Sequence, residues 1–258
     1  MKLLVVLLGL TLVAAAAAKK DPKDPKDPEH PDHIITNGSP AYEGQAPYVV
    51  GMAFGQSNIW CSGTIISDSW ILTSVQCLTG SSGVTIYFGA TRLSQAQFTV
   101  TVGTSAYVTG NQHLALVRIP RVGFSNRVNR ASLPSLNNRS QRYENWWANV
   151  CGWGVTTFTN GLTDVLQCVD LQIMSNNECA AFYGSTTVSD QILCTRTPNG
   201  RSTCYGDAGS PLITKQDSTV VGISAFVASN GCTLGLPAGF ARITSALDWI
   251  GQRTGIAY

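Results

Sequence analysis

Apolar and polar residues alternate in short runs along most of the chain, which is the period of a β-strand with one buried face. Residues 97–102 alternate strictly, and residues 84–88 and 113–119 are short apolar-rich runs bounded by glycine, asparagine or proline. The chain also holds 25 glycines, which suit the turns between many brief strands. The pattern therefore predicts an all-β fold, either a barrel or a sandwich.

The last residues break this pattern and predict a helix. Leu247, Trp249 and Ile250 have the spacing of one apolar helix face. Ser245 stands where a helix cap is expected, and Asp248, three residues later, completes a pair that resembles a capping box. We therefore expect a helix near the C-terminus that is capped by Ser245.

The first 18 residues have the layout of a secretory signal. Lys2 is followed by an apolar run over residues 3–13 and by alanines at 16–18, which suit the signal peptidase. The run is too short to span a bilayer comfortably, and no later stretch is long enough. We expect a secreted, extracellular protein without a membrane anchor, whose eight cysteines form disulfides.

Residues 19–34 form a segment of distinct composition, in which Lys-Asp-Pro occurs three times. Proline at this density prevents helix formation and strand pairing, so we expect an extended, polyproline-like arm that serves as a pro-segment. Its aspartates could hold a cation, but the alternating lysines neutralise them, and the simpler interpretation is a solvated arm.

The charge of the chain points to no special class of partner. The formal net charge is only +2, so nothing indicates nucleic-acid binding. Six arginines crowd one segment without a nearby acid, namely Arg118, Arg121, Arg127, Arg130, Arg139 and Arg142. A solvated surface explains them better than a site for anionic glycans, although both interpretations are open.

Five short motifs, in order along the chain, resemble those of the chymotrypsin family of serine proteases. They are ITNG at 35–38, CSGT with ILTSVQC across 61–77, VCGWG at 150–154, CYGDAGSPL at 204–212 and DWI at 248–250. Phrases such as residues 166–173 are similar to insect gut proteases of the Jonah type. The resemblance spans residues 35–258. It implies two six-stranded antiparallel Greek-key barrels, at about 35–145 and 146–258, with a site in the cleft between them and a C-terminal helix.

The three catalytic positions of that family are all altered in this chain. The nucleophile position is Ala208, the base position is Gln76 and the position of the buried acid is His113. A methyl group has no lone pair, and a glutamine amide takes up no proton near neutral pH. Of the three histidines, His30 and His33 lie in the proline-rich arm, so no other base is at hand. The resemblance therefore implies a degenerate triad.

No replacement for the triad can be assembled from the sequence. Ser210 lies two residues beyond the nucleophile position, roughly 6–7 Å away in an extended stretch. Ser74 has no base nearby, and His113 has no second histidine with which to bind zinc. We expect no metal and no cofactor.

Other parts of the family's site are implied to remain. Gly206 and Ala208 keep the two amides of an oxyanion hole, and Asp207 is the acid that pairs with a newly cut N-terminus. The specificity pocket is implied to consist of Ser202 at the base, Ser224, Ala225 and Phe226 at the edge, and Ala238, with Phe226 and Ala238 narrowing it. A working peptide pocket and an inherited shape are equally compatible with these residues.

The same resemblance also has implications for zymogen activation and for the disulfide pairing. Ile34 precedes Ile35 where the family has arginine or lysine, so we expect a chain that stays zymogen-like, and the family's calcium loop is missing. The resemblance implies the disulfides Cys61–Cys77, Cys179–Cys194 and Cys204–Cys232. Cys151 and Cys168 remain, and they flank a hairpin that would place them opposite each other as a fourth bridge.

These features favour a secreted, catalytically inactive protease homologue that acts by binding. We expect a monomer that holds a protein or peptide in the inherited cleft, without nucleic acid or membrane as a partner. The alternatives are an active chymotrypsin-like endopeptidase and a structural or reservoir secretory protein.

Overall fold

The computed structural model describes residues 35–57, 59–154 and 163–257. The predicted signal peptide and pro-segment, residues 1–34, lie outside the described residues, and both remain predictions. The described part is built from fourteen β-strands and two α-helices, connected by turns and short 3₁₀ segments.

The first half of the described chain forms one rolled antiparallel sheet. Its strands are β2 (Val49–Phe54), β3 (Ile59–Ser67), β4 (Trp70–Ser74), β5 (Gly83–Phe88), β6 (Phe98–Gly103), β7 (Tyr107–Val108) and β8 (Leu114–Arg118). They are ordered β6-β5-β2-β3-β4-β8-β7. The three strands expected from the pattern at 84–88, 97–102 and 113–119 are confirmed, with bounds that differ by one residue.

The second half forms a closed antiparallel barrel. Its strands are β1 (Ser39–Pro40), β9 (Trp147–Gly152), β10 (Gln167–Met174), β11 (Ile192–Arg196), β12 (Pro211–Thr214), β13 (Val220–Phe226) and β14 (Ala238–Arg242). Pairing of β9 with β10 closes a ring of six, and the two-residue β1 adds to its edge. The predicted all-β architecture of two barrels is therefore confirmed.

Alternating side chains explain why these strands form barrels. In β5, Val84, Ile86 and Phe88 are buried in the first core, while the residues between them are partly exposed. Phe98 opens the neighbouring β6 and stacks on Phe88 with ring centroids 4.9 Å apart. A separate cluster that includes Leu72 of β4 and Ile223 of β13 joins the two barrels. Apolar burial therefore fixes both the barrels and the contact between them.

The C-terminal helix is present, but its predicted cap is wrong. The helix α2 is Leu247–Thr254, and its N-cap is Ala246, which makes no side-chain cap. Ser245 belongs instead to a 3₁₀ turn, where its Oγ donates to the Arg242 carbonyl at 2.7 Å. Asp248 faces outward and pairs with Arg139 at 2.5 Å. The turn before the helix uses the serine that the sequence pattern assigned to the cap.

A second helix was not expected from the sequence. The helix α1 is Asn176–Tyr183, and it begins with a capping box in which Ser175 and Glu178 bond to each other's backbone amides. The Ser-x-x-Glu spacing was the available signal. No helix within the described residues is long and apolar enough to cross a membrane.

The disulfides match the expected set. The bridges Cys61–Cys77, Cys179–Cys194 and Cys204–Cys232 are formed, and so is Cys151–Cys168. Cys151 and Cys168 are direct partners in the register of β9 and β10, as the hairpin argument predicted. Four disulfides are typical of an extracellular protein.

Most of the clustered arginines are paired with acids. The ion pairs are Arg121–Asp68, Arg127–Glu43, Arg139–Asp248 and Arg142–Asp190. Arg118 lies over the ring of Trp70, 6.0 Å from its centroid. The structure therefore favours the interpretation of a solvated surface over that of a site for anionic glycans.

Candidate functional site

A cavity of ≈ 430 Å³ lies where the two barrels meet. One wall is the start of β3 with the 3₁₀ turn Val75–Leu78, and the other is the loop 204–208 with the end of β13. Two of the three residues expected at catalytic positions, Gln76 and Ala208, line this cavity from opposite barrels. We call it the cleft.

Gln76 holds the position of the base and spans the cleft. Its Nε2 donates a hydrogen bond to the carbonyl of Ala225 at 2.8 Å, which joins the first barrel to the second. The lone pair of an amide nitrogen is delocalised into its carbonyl, so this group takes up no proton near neutral pH. Gln76 therefore acts as a neutral tie between the barrels.

His113 holds the position of the buried acid, directly before β8. Its carbonyl accepts from the amide of Val75 at 3.0 Å, which fixes it beside the turn that carries Gln76. Its own amide donates to Asn111 Oδ1 at 2.9 Å. Partial burial lowers the pKa of His113, which favours the neutral imidazole. The group thus carries no negative charge with which to orient a base.

Ala208 holds the position of the nucleophile in a loop that is anchored to both barrels. Its carbonyl accepts from the amide of Ser62 in β3 at 2.8 Å. The next residue, Gly209, donates its amide to the carbonyl of Ser224 in β13 at 2.9 Å. No hydrogen bond among the described residues uses the amides of Gly206 or Ala208, so both are available to an acceptor.

Gly209 is needed where this loop crosses between the barrels. Its φ is +89°, and an added Cβ would lie 1.9 Å from the carbonyl oxygen of Ser62 and 2.4 Å from Thr73 Oγ1. Real side chains never approach backbone this closely, so only glycine fits. The loop shape therefore depends on the absence of a side chain at this residue.

The pocket residues proposed from the sequence are only partly brought together. Ser224, Ala225 and Phe226 line the cleft, and Val227, Trp60 and Tyr205 join them without having been expected. Val227 directly follows Phe226 and Tyr205 directly precedes Gly206, and that adjacency was the available signal, whereas Trp60 lies beside the disulfide-bonded Cys61 in β3.

Ser202 and Ala238, which were expected in the pocket, are not among the described residues that line the cleft, and their role in a pocket stays a prediction. Ser202 is buried in a bridge with Thr36, whose Oγ1 donates to its carbonyl at 3.3 Å. Ala238 is buried in the core of the second barrel. The ring of Phe226 lies directly on Gly239 and meets Tyr183 edge-on, with centroids 5.4 Å apart. The ring thus lies at the end of β13 against β14, and its predicted narrowing of a pocket stays a prediction.

Asp207 is fully buried beneath the loop. Its Oδ1 accepts from the amide of Gly154 and its Oδ2 from the amide of Cys204, each at 2.9 Å. Burial raises the pKa of Asp207 to about 7, and the two amides only partly oppose this shift. Ile35, the residue whose amine the family pairs with this acid, has a buried side chain in the second core. No cation pairs with Asp207 among the residues that the structure describes.

The raised pKa of Asp207 predicts an unusual pH dependence of folding stability. Between about pH 4 and pH 7 the folded state holds a proton that the unfolded state has released, so Asp207 destabilises the fold increasingly as pH rises. In Asp207→Asn this contribution is absent, because the amide resembles the neutral acid. The free energy of unfolding of the native chain, relative to the variant, should fall by a few kcal/mol from pH 5 to pH 7.

Urea unfolding of both proteins at several pH values measures this difference. Taking the difference cancels His113, whose lowered pKa gives the opposite slope in the same range. A difference that stays flat or rises with pH would show that Asp207 is ionised in the fold at pH 5.

A larger depression of ≈ 610 Å³ lies elsewhere and includes Asp170, Arg201 and Lys215. Asp170 is already paired with Lys215 at 2.5 Å. None of the expected catalytic or pocket residues lies there. No group of side chains among the described residues could hold a metal ion.

Comparison with known proteins gives a consistent set of relatives. The family model "Trypsin" matches residues 35–250. The chain is 45% identical over 233 residues to Serine protease 1 of Drosophila melanogaster, covering 87% of each chain. It is 33% identical to a collagenase of Hypoderma lineatum, covering 87% of this chain and 88% of that protein.

Two solved structures share the fold of this chain. The HL collagenase structure superposes with a TM-score of 0.79 at 33% identity, covering 87% of this chain and all of that one. The scabies mite inactivated protease paralogue S-D1 has a TM-score of 0.75 at 21% identity, covering 87% of this chain and 99% of that one, and this likeness concerns the fold.

Proposed function

The chain belongs to the trypsin family of chymotrypsin-type serine proteases, and from that premise we propose that it is a secreted, catalytically inactive member that works by binding a protein or peptide in its cleft. The observation that carries the proposal is the chemistry at the three catalytic positions. Ala208 offers no nucleophile, and Gln76 already donates its amide to Ala225. His113 carries no negative charge where the family needs an anion.

The expected loss of activity is large. In triad enzymes, removal of the serine or the histidine alone lowers turnover about 10⁶-fold, and the losses do not add. An oxyanion hole by itself retains roughly 10³–10⁴ over water. The amides of Gly206 and Ala208 could therefore support at most this residual rate, which is too low for a digestive protease.

The binding part of the proposal is supported by the state of the cleft. The cavity has the size of a small-molecule or peptide-side-chain site and is lined mainly by apolar groups. Its two walls are held by the Gln76–Ala225 hydrogen bond and by the anchored loop at Ala208, so little ordering is needed on binding. A preorganised cleft that has no catalytic nucleophile or base is suited to binding a ligand without cleaving it. The four disulfides and the predicted signal peptide support binding outside the cell.

An active endopeptidase is the second candidate, because the relatives are named as a serine protease and a collagenase. A reservoir protein is the third, and the Lys-Asp-Pro segment is its one specific feature. Proteins that co-purify with the chain from secreted fluid would separate a binder from a reservoir.

Fluorophosphonate labelling tests the loss of catalysis directly. The purified chain should take up no serine-directed fluorophosphonate and should hydrolyse no fluorogenic peptide, because Ala208 has no hydroxyl. An active trypsin-family protease treated in parallel is the positive control. Labelling that a competing inhibitor blocks would show that the chain is an enzyme and would end the proposal.

A further inference from the structure

Two asparagines of the sequence begin the Asn-x-Ser/Thr pattern to which secretory cells attach N-linked glycans. They are Asn37, with Ser39 as the third residue, and Asn138, with Ser140 as the third residue. The pattern is used only in a protein that passes through the secretory pathway. The four disulfides and the predicted signal peptide support that route. The two asparagines differ in how the fold holds their side chains.

Asn138 lies on an outward-facing turn in the connection between β8 and β9, which joins the two barrels. It ends the 3₁₀ segment Leu136–Asn138, and residues 136–142 are all exposed. Its backbone amide donates to the carbonyl of Ser135 at 3.0 Å, which fixes the turn without using the side chain. No hydrogen bond among the described residues involves the Asn138 side chain. Its Nδ2 can therefore carry a sugar without the loss of a contact.

Asn37 is also exposed, but its side chain takes part in the fold. Its Nδ2 donates to the carbonyl of Asn199 at 2.8 Å, which ties the start of the described chain to a turn far along the sequence. The same nitrogen lies 3.0 Å from the place that a Cβ would take on Gly200. A sugar on this nitrogen would lie against that turn. The structure therefore favours Asn138 as the acceptor.

The residue that follows this acceptor is Arg139, and trypsin-like proteases cut after arginine because their pocket carries a carboxylate. Arg139 pairs with Asp248 at the surface, and its side chain remains 53% exposed in that pair. Ser140, on the other side of the peptide bond, is exposed as well. By contrast, Arg142 is followed by Tyr143, which is buried. Since exposed polar loops are the preferred sites of proteolytic cleavage, the connection between the barrels is open to attack after Arg139.

We propose that Asn138 carries an N-linked glycan and that this glycan shields the peptide bond between Arg139 and Ser140 from trypsin-like proteases. A protease must hold the residues on both sides of a bond in its own groove, and a bulky sugar on the preceding residue blocks that approach. The connection between the barrels then survives in fluid that contains active proteases. The inference goes beyond the proposed function, because Asn138 does not line the cleft and only passage through the secretory pathway is required.

Mapping of the glycan on the full chain, secreted by a eukaryotic cell line, tests the assignment. Release by a peptide N-glycosidase in heavy-oxygen water leaves an isotope-labelled aspartate at each occupied position. We expect the label at residue 138, its loss in Ser140→Ala and its retention in Ser140→Thr, because threonine preserves the pattern. This result supports the assignment whether or not residue 37 is also labelled. No label at residue 138, or a label that persists in Ser140→Ala, would overturn it.

Limited digestion with trypsin tests the shielding. Asn138→Gln has no acceptor but keeps the bond after Arg139, and Asn37→Gln is the matched control because it leaves residue 138 unchanged. We expect cleavage after Arg139 to be at least about tenfold faster in Asn138→Gln than in the native chain, and unchanged in Asn37→Gln. Equal rates in the native chain and Asn138→Gln, or the same acceleration in Asn37→Gln, would overturn the shielding. Neither measurement depends on turnover by this chain, so their failure is distinguishable from failure of the proposed function, which the fluorophosphonate assay reports.

Discussion

After cleavage by trypsin, a fourfold variant of this chain should hydrolyse peptides about 10²–10³ times faster than an uncut threefold variant. The threefold variant carries Gln76→His, His113→Asp and Ala208→Ser, and the fourfold variant adds Ile34→Arg. Both contain the three catalytic groups of the family at their proper positions. This difference in rate corresponds to one well-oriented oxyanion donor, because removing such a donor lowers turnover by about 10²–10³.

The reason lies in Asp207. Its carboxylate is buried on two backbone amides, and its pKa is raised to about 7 because no cation compensates the burial among the described residues. Cleavage after residue 34 frees an amine at Ile35, which the family uses as that partner. Without that partner, we expect Asp207 to leave the Gly206 amide less well oriented towards the oxyanion. Chemistry and preorganisation are separate requirements, and the threefold variant meets only the first.

The fourfold variant with Ala208 retained is the matched control, since it is cut in the same way but has no nucleophile. Substrate turnover is measured before and after trypsin is added and then inhibited. Equal activity in the uncut threefold and the cut fourfold variant would show that the zymogen argument is wrong. If neither exceeds the control, the narrowing by Phe226 is sufficient to block substrates.

Gly209→Ala should destabilise the fold by more than about 4 kcal/mol, a size reserved for severe faults. The new methyl group would overlap the Ser62 carbonyl, at 1.9 Å, and Thr73 Oγ1, at 2.4 Å. Both belong to the first barrel, whereas Gly209 itself is bonded to Ser224 in the second. Relief of the clash requires the barrels to separate, which would open the apolar cluster between them. Urea unfolding, or the secreted yield where the variant does not accumulate, measures the effect.

Gly255→Ala provides the control for backbone strain alone. Gly255 ends α2 with φ +72°, and an added Cβ would meet nothing within 4 Å. We expect a loss of about 1 kcal/mol from the left-handed conformation. If Gly209→Ala costs no more than Gly255→Ala, the tight approach of the loop to Ser62 does not occur in solution.

Local sequence motifs predicted those parts of the molecule that depend on nearby residues. The strand at 97–102 follows from alternation alone, and the positions of Gln76 and Ala208 follow from short motifs in tight turns. The Cys151–Cys168 bridge followed from the pairing of one hairpin. In each case the information lies within a few residues of the feature.

Features that depend on distant packing could not be predicted in this way. The bridge that buries Ser202 is formed with Thr36, which is 166 residues distant in the chain. The hydrogen bond from Gln76 to Ala225 likewise joins residues 149 positions apart. Ser245 had the right type for a helix cap, but the preceding 3₁₀ turn took its hydroxyl. In these cases the available hydrogen-bond partners, rather than the local propensity of the residue, determined its position.

The close contact of residues 208–209 with Ser62 also restricts which substitutions this sequence can accept during evolution. Substitutions at Gln76 or Ala208 alter groups on the wall of a cavity, whereas substitution at Gly209 breaks the joint between the barrels. Selection for folding alone is therefore sufficient to preserve the loop, whether or not the cleft is catalytic. We expect sequences that descend from this one to keep Gly209 while residues 76 and 208 vary.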